Sequence, residues 1–207
     1  MANAPEPTTY VRSDELRRRI NDFLQGAFGL PESDYYGRLN ARDLLRLKSA
    51  LSDINNAVTM RLTLGFLEWV SRTMPIDAAA SAEVRASVLG QKPSSNGYDI
   101  VCAGPVPFVA EVKCNIPVNG GKRYGAAQRS GILKDIAALS QGKRKALPVG
   151  TDALRFMVFM DLPEVRAAND HLASTACAAL GALRFLASTE VPTDTSVVYG
   201  AYADLAD

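Results

Sequence analysis

The chain has 207 residues, of which 47% are hydrophobic and 22% charged, the composition of a globular protein long enough to bury a core without disulfide or metal staples. A formal net charge of +1 gives no global pull toward nucleic acid, although Lys122-Arg123 and Lys143-Arg144-Lys145 are short basic clusters that read either as solvated loops or as local phosphate contacts. The three cysteines, Cys102, Cys114 and Cys177, stand far apart with no CxxC pair, which argues against a zinc site or a disulfide framework and for a reducing, cytoplasmic setting.

The first ten residues carry neither an apolar core nor a basic leader, so no secretory signal is expected. No stretch reaches the apolar length of a membrane span, and residues 1–9 are expected to be disordered. Ser13-Asp14-Glu15 opens a helix running to about Gln25, with Leu16, Ile20, Phe23 and Leu24 on one stripe. A second helix is predicted from about Asn40 to Asn55 and a third from Ala57 to Thr73, stopping before Pro75. Ala78 to Leu89 reads either as a short helix or as a helix leading into a strand. Lys92 to Gly97 is a loop. YDIVCA and PFVAEVKC, on either side of Gly104-Pro105, form a hairpin, and Ile116 to Tyr124 is a Gly- and Asn-rich loop. Ala126 to Gln141 is a helix with Ile132, Leu133, Ile136 and Leu139 on one side. Leu154 to Met160 is a nearly continuous apolar run (LRFMVFM) that suits a central strand covered on both faces. Pro163 starts an Ala-rich helix expected to reach about Ala187, and Ser196 to Tyr202 is a last strand expected at a sheet edge. This order implies an α/β (α+β) domain, a mixed sheet flanked by helices with an N-terminal helical region. It divides into a helical elaboration (1–57), a core (58–161) and a C-terminal helix and strand (162–207).

The chemistry concentrates between Asn96 and Asn115. Side chains alternate along a strand, so Glu111 and Lys113 share one face while Ala110, Val112 and Cys114 face a core. With Gly104-Pro105-Val106 as the hairpin loop, Ala103 faces Pro107 and Asp99 faces Glu111, and a register slipped by one residue still leaves Asp99 near Glu111. Two opposed carboxylates repel, and a divalent cation between them removes the penalty. Their hard oxygen atoms suit Mg²⁺, which takes one or two carboxylates and keeps several waters. Mg²⁺ polarises a phosphoryl oxygen and acidifies water, while Lys113 can orient that water or stabilise developing charge. The bland alternative for Glu111 and Lys113 is a same-face surface ion pair, and for Asp99 a turn residue after Asn96-Gly97.

The run GYDIVCAGPVPFVAEVKCN resembles the PD-(D/E)xK nucleases, the superfamily of most type II restriction endonucleases. Asp99 matches the family's first acid and Glu111-Val112-Lys113 its acid-x-Lys triplet, with Tyr98 where the family name has Pro. The resemblance covers about residues 60–161. It implies a restriction endonuclease-like fold, a Mg²⁺-dependent endonuclease acting on double-stranded DNA and, for palindromic sites, a homodimer. It also implies a further Glu on the helix before the hairpin. Glu68 occupies such a place, although it also stands four residues before Arg72, the order of a helical ion pair. Gln128 reads either as lining the site or as a solvated helix position. Lys122, Arg123, Lys134, Lys143, Arg144 and Lys145 are the candidate nucleic-acid contacts. His171, the single histidine, lies far from the motif, and Gly120-Gly121-Lys122 lacks the spacing of a phosphate loop. Two other functions stay open: a non-catalytic DNA- or protein-binding module on a nuclease scaffold, and a structure-specific repair nuclease.

Overall fold

A computed structural model describes residues 10–92, 97–118, 121–143, 152–175, 183–187 and 189–206. Among these the chain is mixed α/β and divides into two compact units, one ending at Asp53 and the other beginning at Ile54. The basic pair Arg144-Lys145 and the third cysteine, Cys177, lie outside the described residues.

The first unit holds helix α1 (Arg12–Phe28), a short 3₁₀ turn at Tyr36–Arg38, and the start of helix α2 (Ala41–Thr73). Gly29, at φ 61°, ends α1 in the left-handed conformation, as a glycine after a helix commonly does. Arg17 pairs with Asp34, and Asn21 donates to the same carboxylate at 3.1 Å. None of the described residues in this unit is fully buried.

Helix α2 continues without a break into the second unit, where two helices divided near Asn55 were expected. Asn55 and Asn56 are weak helix formers but not breakers, since neither removes a backbone donor as Pro does. Thr59 and Thr63 each bond back to the carbonyl four residues earlier, at 2.9 and 2.8 Å. Helix α3 (Ala78–Gly90) follows, its first turn capped by the Asp77 side chain accepting from Ala80 N. The ambiguous Ala78–Leu89 segment is therefore all helix.

Strands β1 (Ile100–Cys102) and β2 (Phe108–Lys113) make the antiparallel hairpin. Helix α4 (Ala126–Gln141) crosses to β3 (Leu154–Met160), which lies parallel to β2. Helix α5 (Pro163–Thr175) is followed by β4 (Leu183–Phe185) and β5 (Val198–Ala203). The sheet order is β1-β2-β3-β5-β4, so β3 is central, as its apolar run predicts.

Two expectations fail at the C-terminal end. The helix from Pro163 is described as far as Thr175, and Leu183–Phe185, read as part of it, is a strand. It pairs in parallel with β5 through Leu183↔Val198 and Phe185↔Gly200. That pairing puts β5 between β3 and β4, so β5 is an inner strand and β4 takes the edge.

Helices cover both sheet faces. Leu62, Phe66 and Val70 of α2 pack with Ile100, Phe108, Ala110, Val112, Phe156 and Tyr199 on one face. Ile132, Ile136 and Leu139 of α4 pack with Val109, Met157, Phe159 and Val165 on the other. Among the described residues no helix is long and apolar enough to cross a membrane.

Candidate active site

The hairpin register pairs Ile100 with Ala110, Val101 with Val109 and Cys102 with Phe108. One step further brings Asp99 opposite Glu111. Asp99 Oδ2 accepts a hydrogen bond from the Val112 amide at 2.7 Å, which anchors one carboxylate oxygen where the ladder ends. The described residues give no hydrogen bond to its other oxygen.

Alternation along β2 does what the sequence pattern requires. Ala110 and Val112 enter the core under α2, and Cys114 packs against it. Glu111 and Lys113 turn to the face covered by α4. Glu111 is 4% exposed, the deepest carboxylate described. Its Oε1 is buried without a hydrogen-bond partner, alone in this among the described side chains, although the Lys143 ammonium stands 2.5 Å away. At that distance the ammonium is the oxygen's ion-pair partner and favours the charged carboxylate. Burial, then the neighbouring Asp99 charge, pushes the Glu111 carboxyl up to about 7, with Lys143 opposing. Burial also raises Asp99, against the Val112 hydrogen bond and the two lysines.

Lys113 does not lie against Glu111. Its ammonium pairs with Asp135 of α4, both side chains about one-fifth exposed. Asp135 is a site residue that sequence reasoning missed. Its only signal is position: it precedes Ile136 on the helix that buries Ile132, Ile136 and Leu139, at the rim of the apolar stripe.

The sequence leaves Lys143 either in a solvated loop or against a phosphate, and the structure places it against a carboxylate of the candidate site. The Lys143 side chain is 24% exposed and aims inward to Glu111. Lys122, Arg123 and Lys134 are exposed, and none makes an ion pair among the described residues.

Glu68 does not join the site. It is half exposed, and its nearest partner is Arg85 of α3 at 3.8 Å, not Arg72. A cavity of about 270 Å³ opens beside Asp99, and α2 lines it with Asn56, Thr59 and Thr63. Glu68 lies five residues past Thr63, roughly 140° further around the helix axis. It borders a different cavity of about 570 Å³ with Arg72, Asp161, Arg166, Tyr202 and Asp204. Gln128 is also placed elsewhere: it caps α4, accepting from Gly125 N at 3.0 Å and donating to Ile116 O at 2.8 Å. His171 sits half-buried on α5.

The donor set is two hard carboxylates, Glu111 with Oε1 against the Lys143 ammonium and Asp99 with one oxygen free of hydrogen bonds from the described residues. Among the described residues no group of three or more His, Cys, Asp or Glu side chains is arranged to hold a metal ion. Two carboxylates still fit Mg²⁺, which completes its shell with water and substrate phosphate. The chain matches no protein-family model, no curated protein and no solved structure.

Proposed function

We propose that the protein is a Mg²⁺-dependent endonuclease that hydrolyses phosphodiester bonds in double-stranded DNA, on a restriction endonuclease-like fold and of the type II restriction kind. The observation that carries this reading is Asp99 opposite Glu111 at the open end of the hairpin, two carboxylates side by side with the single ammonium of Lys143 on Glu111. One ammonium offsets only one of the two charges, whereas a divalent cation would offset both.

Asp99 and Glu111 would hold Mg²⁺, which supplies polarisation of the phosphoryl group and acidification of water. Asp99 is kept in place by the Val112 amide, and Glu111 by the packing around β2. Lys113 projects from the same face two residues on, and its partner Asp135 fixes where the ammonium sits. From there Lys113 donates to the attacking water or to the phosphoryl oxygen as charge develops. The exposed Lys122, Arg123 and Lys134 serve as phosphate contacts that position the duplex without reading its sequence.

Cutting a palindrome requires two copies of the site related by a two-fold axis. A homodimer in the cytoplasm is therefore part of the proposal, in keeping with Cys102 and Cys114 being free thiols.

Plasmid incubated with Mg²⁺ or Mn²⁺ is expected to yield discrete fragments. Asp99→Ala and Lys113→Ala, checked for folding, should each lose about 100-fold or more in rate. A smear in place of fragments favours a repair nuclease. No cleavage of varied DNA by the wild-type protein with either metal refutes the nuclease reading.

One observation favours a second reading. Both lysines already have carboxylate partners, Lys113 with Asp135 and Lys143 with Glu111. A polar network of that kind would also suit a non-cutting DNA- or protein-binding module on the same scaffold.

A further inference from the structure

Lys143, two residues past the end of α4, is tied into the site by several contacts. It follows Gly142, the residue after α4, whose φ of +85° belongs to a region that L side chains rarely enter. The turn at Gly142 returns the chain over the hairpin. The Lys143 amide donates to Tyr98 Oη at 3.1 Å. Its ammonium donates to Gly97 O at 2.5 Å, stands 2.5 Å from Glu111 Oε1 and lies 5.3 Å from the Tyr98 ring centroid. Backbone carbonyl, carboxylate and aromatic face together form a cation pocket of the kind that favours an ammonium.

We infer that Lys143 is an intramolecular counter-cation that competes with the divalent metal for Glu111. This rests on the metal-dependent reading of the site. The ammonium sits on Glu111 Oε1, and its positive charge would oppose a second cation on the same carboxylate, whichever oxygen that cation took. In the metal-free protein Lys143 offsets the burial of Glu111 beside Asp99 and keeps the carboxylate aimed. A metal on this carboxylate would weaken the ion pair with the ammonium. Lys143 is thus a positioning residue for the metal ligand and sets the affinity of the site for metal.

The test is calorimetric titration of the full chain with Mg²⁺ and with Mn²⁺. Lys143→Met and Lys143→Gln, the second keeping a donor for Gly97 O, are compared with wild type. Lys48→Met, an exposed lysine on α2, controls for net charge. The expected result is metal binding about ten-fold or more tighter in both Lys143 variants, since a unit charge in contact with the site is removed, with Lys48→Met unchanged. A second readout is the melting temperature. In chelator the Lys143 variants melt below wild type, and Mg²⁺ raises them by more than it raises wild type. A merely structural lysine would lower the melting temperature without tightening the metal. If wild type binds metal and the Lys143 variants bind no more tightly, competition is overturned and the metal site stands. If no protein in the series binds either metal, the metal site is refuted and the competition with it.

Discussion

Glu111 is held between burial, which favours its neutral form, and Lys143, which favours its charge. Burial and the adjacent Asp99 win, and the carboxyl titrates near 7 in the fold. A carboxyl whose folded value lies above its unfolded one binds its proton more tightly in the native state. Its contribution to stability is therefore present below about pH 4.5 and lost as pH rises through about 7. Asp99, raised by burial, acts in the same direction. Metal-free protein should melt at progressively lower temperature from about pH 5 to pH 7.5, and Glu111→Gln should flatten that slope. A wild-type slope unchanged by the substitution would remove Glu111 as its source. Asp135 acts on the same face as the partner of Lys113. Asp135→Asn leaves that ammonium partly buried without its carboxylate and should cost about 1–3 kcal/mol in chemical denaturation. In a cleavage assay it should lower kcat with little change in KM, because it acts through Lys113 and does not itself touch substrate.

At the scale of elements, sterics and propensity make opposite forecasts for Gly65 of α2. Alanine in a helix interior gains about 1 kcal/mol over glycine. A Cβ at Gly65, however, would collide with the backbone carbonyl of Asp204, where the C-terminal segment crosses the helix and Ala206 N donates to Arg61 O at 3.1 Å. Backbone cannot rotate away as a side chain can. Gly65→Ala should therefore destabilise by about 1–3 kcal/mol, and a raised melting temperature would show that the segment yields easily. The cap of α4 offers a milder case. Gln128→Ala loses the bond from Gly125 N and the one to Ile116 O, and should cost about 1 kcal/mol by the same measurement.

For the whole molecule, the first unit is the unusual part. It buries no described residue fully, while Phe23 is 49%, Phe28 65% and Leu45 68% exposed. Apolar surface of this kind marks an interface more often than a free face. If the homodimer proposed for palindromic cleavage forms through this unit, light scattering at micromolar concentration should give twice the 22.2 kDa chain mass. Phe28→Glu with Leu45→Glu should then return the monomer. A wild-type monomer at every concentration would count against both the dimer and palindromic cutting.

The sequence by itself determined those parts of the protein in which local pattern and final environment agree. Helix α4 and strand β3 were legible residue for residue, because the stripe of Ile132, Ile136 and Leu139 and the run from Leu154 to Met160 each state their burial directly. The opposition of Asp99 and Glu111 was legible too, since a short hairpin with its loop at Gly104-Pro105-Val106 leaves little freedom in register. Tertiary structure alone decided the rest. Leu183–Phe185 follows an Ala-rich helical pattern and becomes a strand because pairing with β5 outweighs local preference, which in turn makes β5 an inner strand. The fate of Glu68 depended on the angle at which α2 faces the sheet, and one helix does not announce which residues share a cavity with a distant hairpin. The partners of the two lysines were hidden for the same reason. Asp135 reaches Lys113, and Lys143 reaches Glu111, across sequence separations that only the packing of α4 on the sheet brings together.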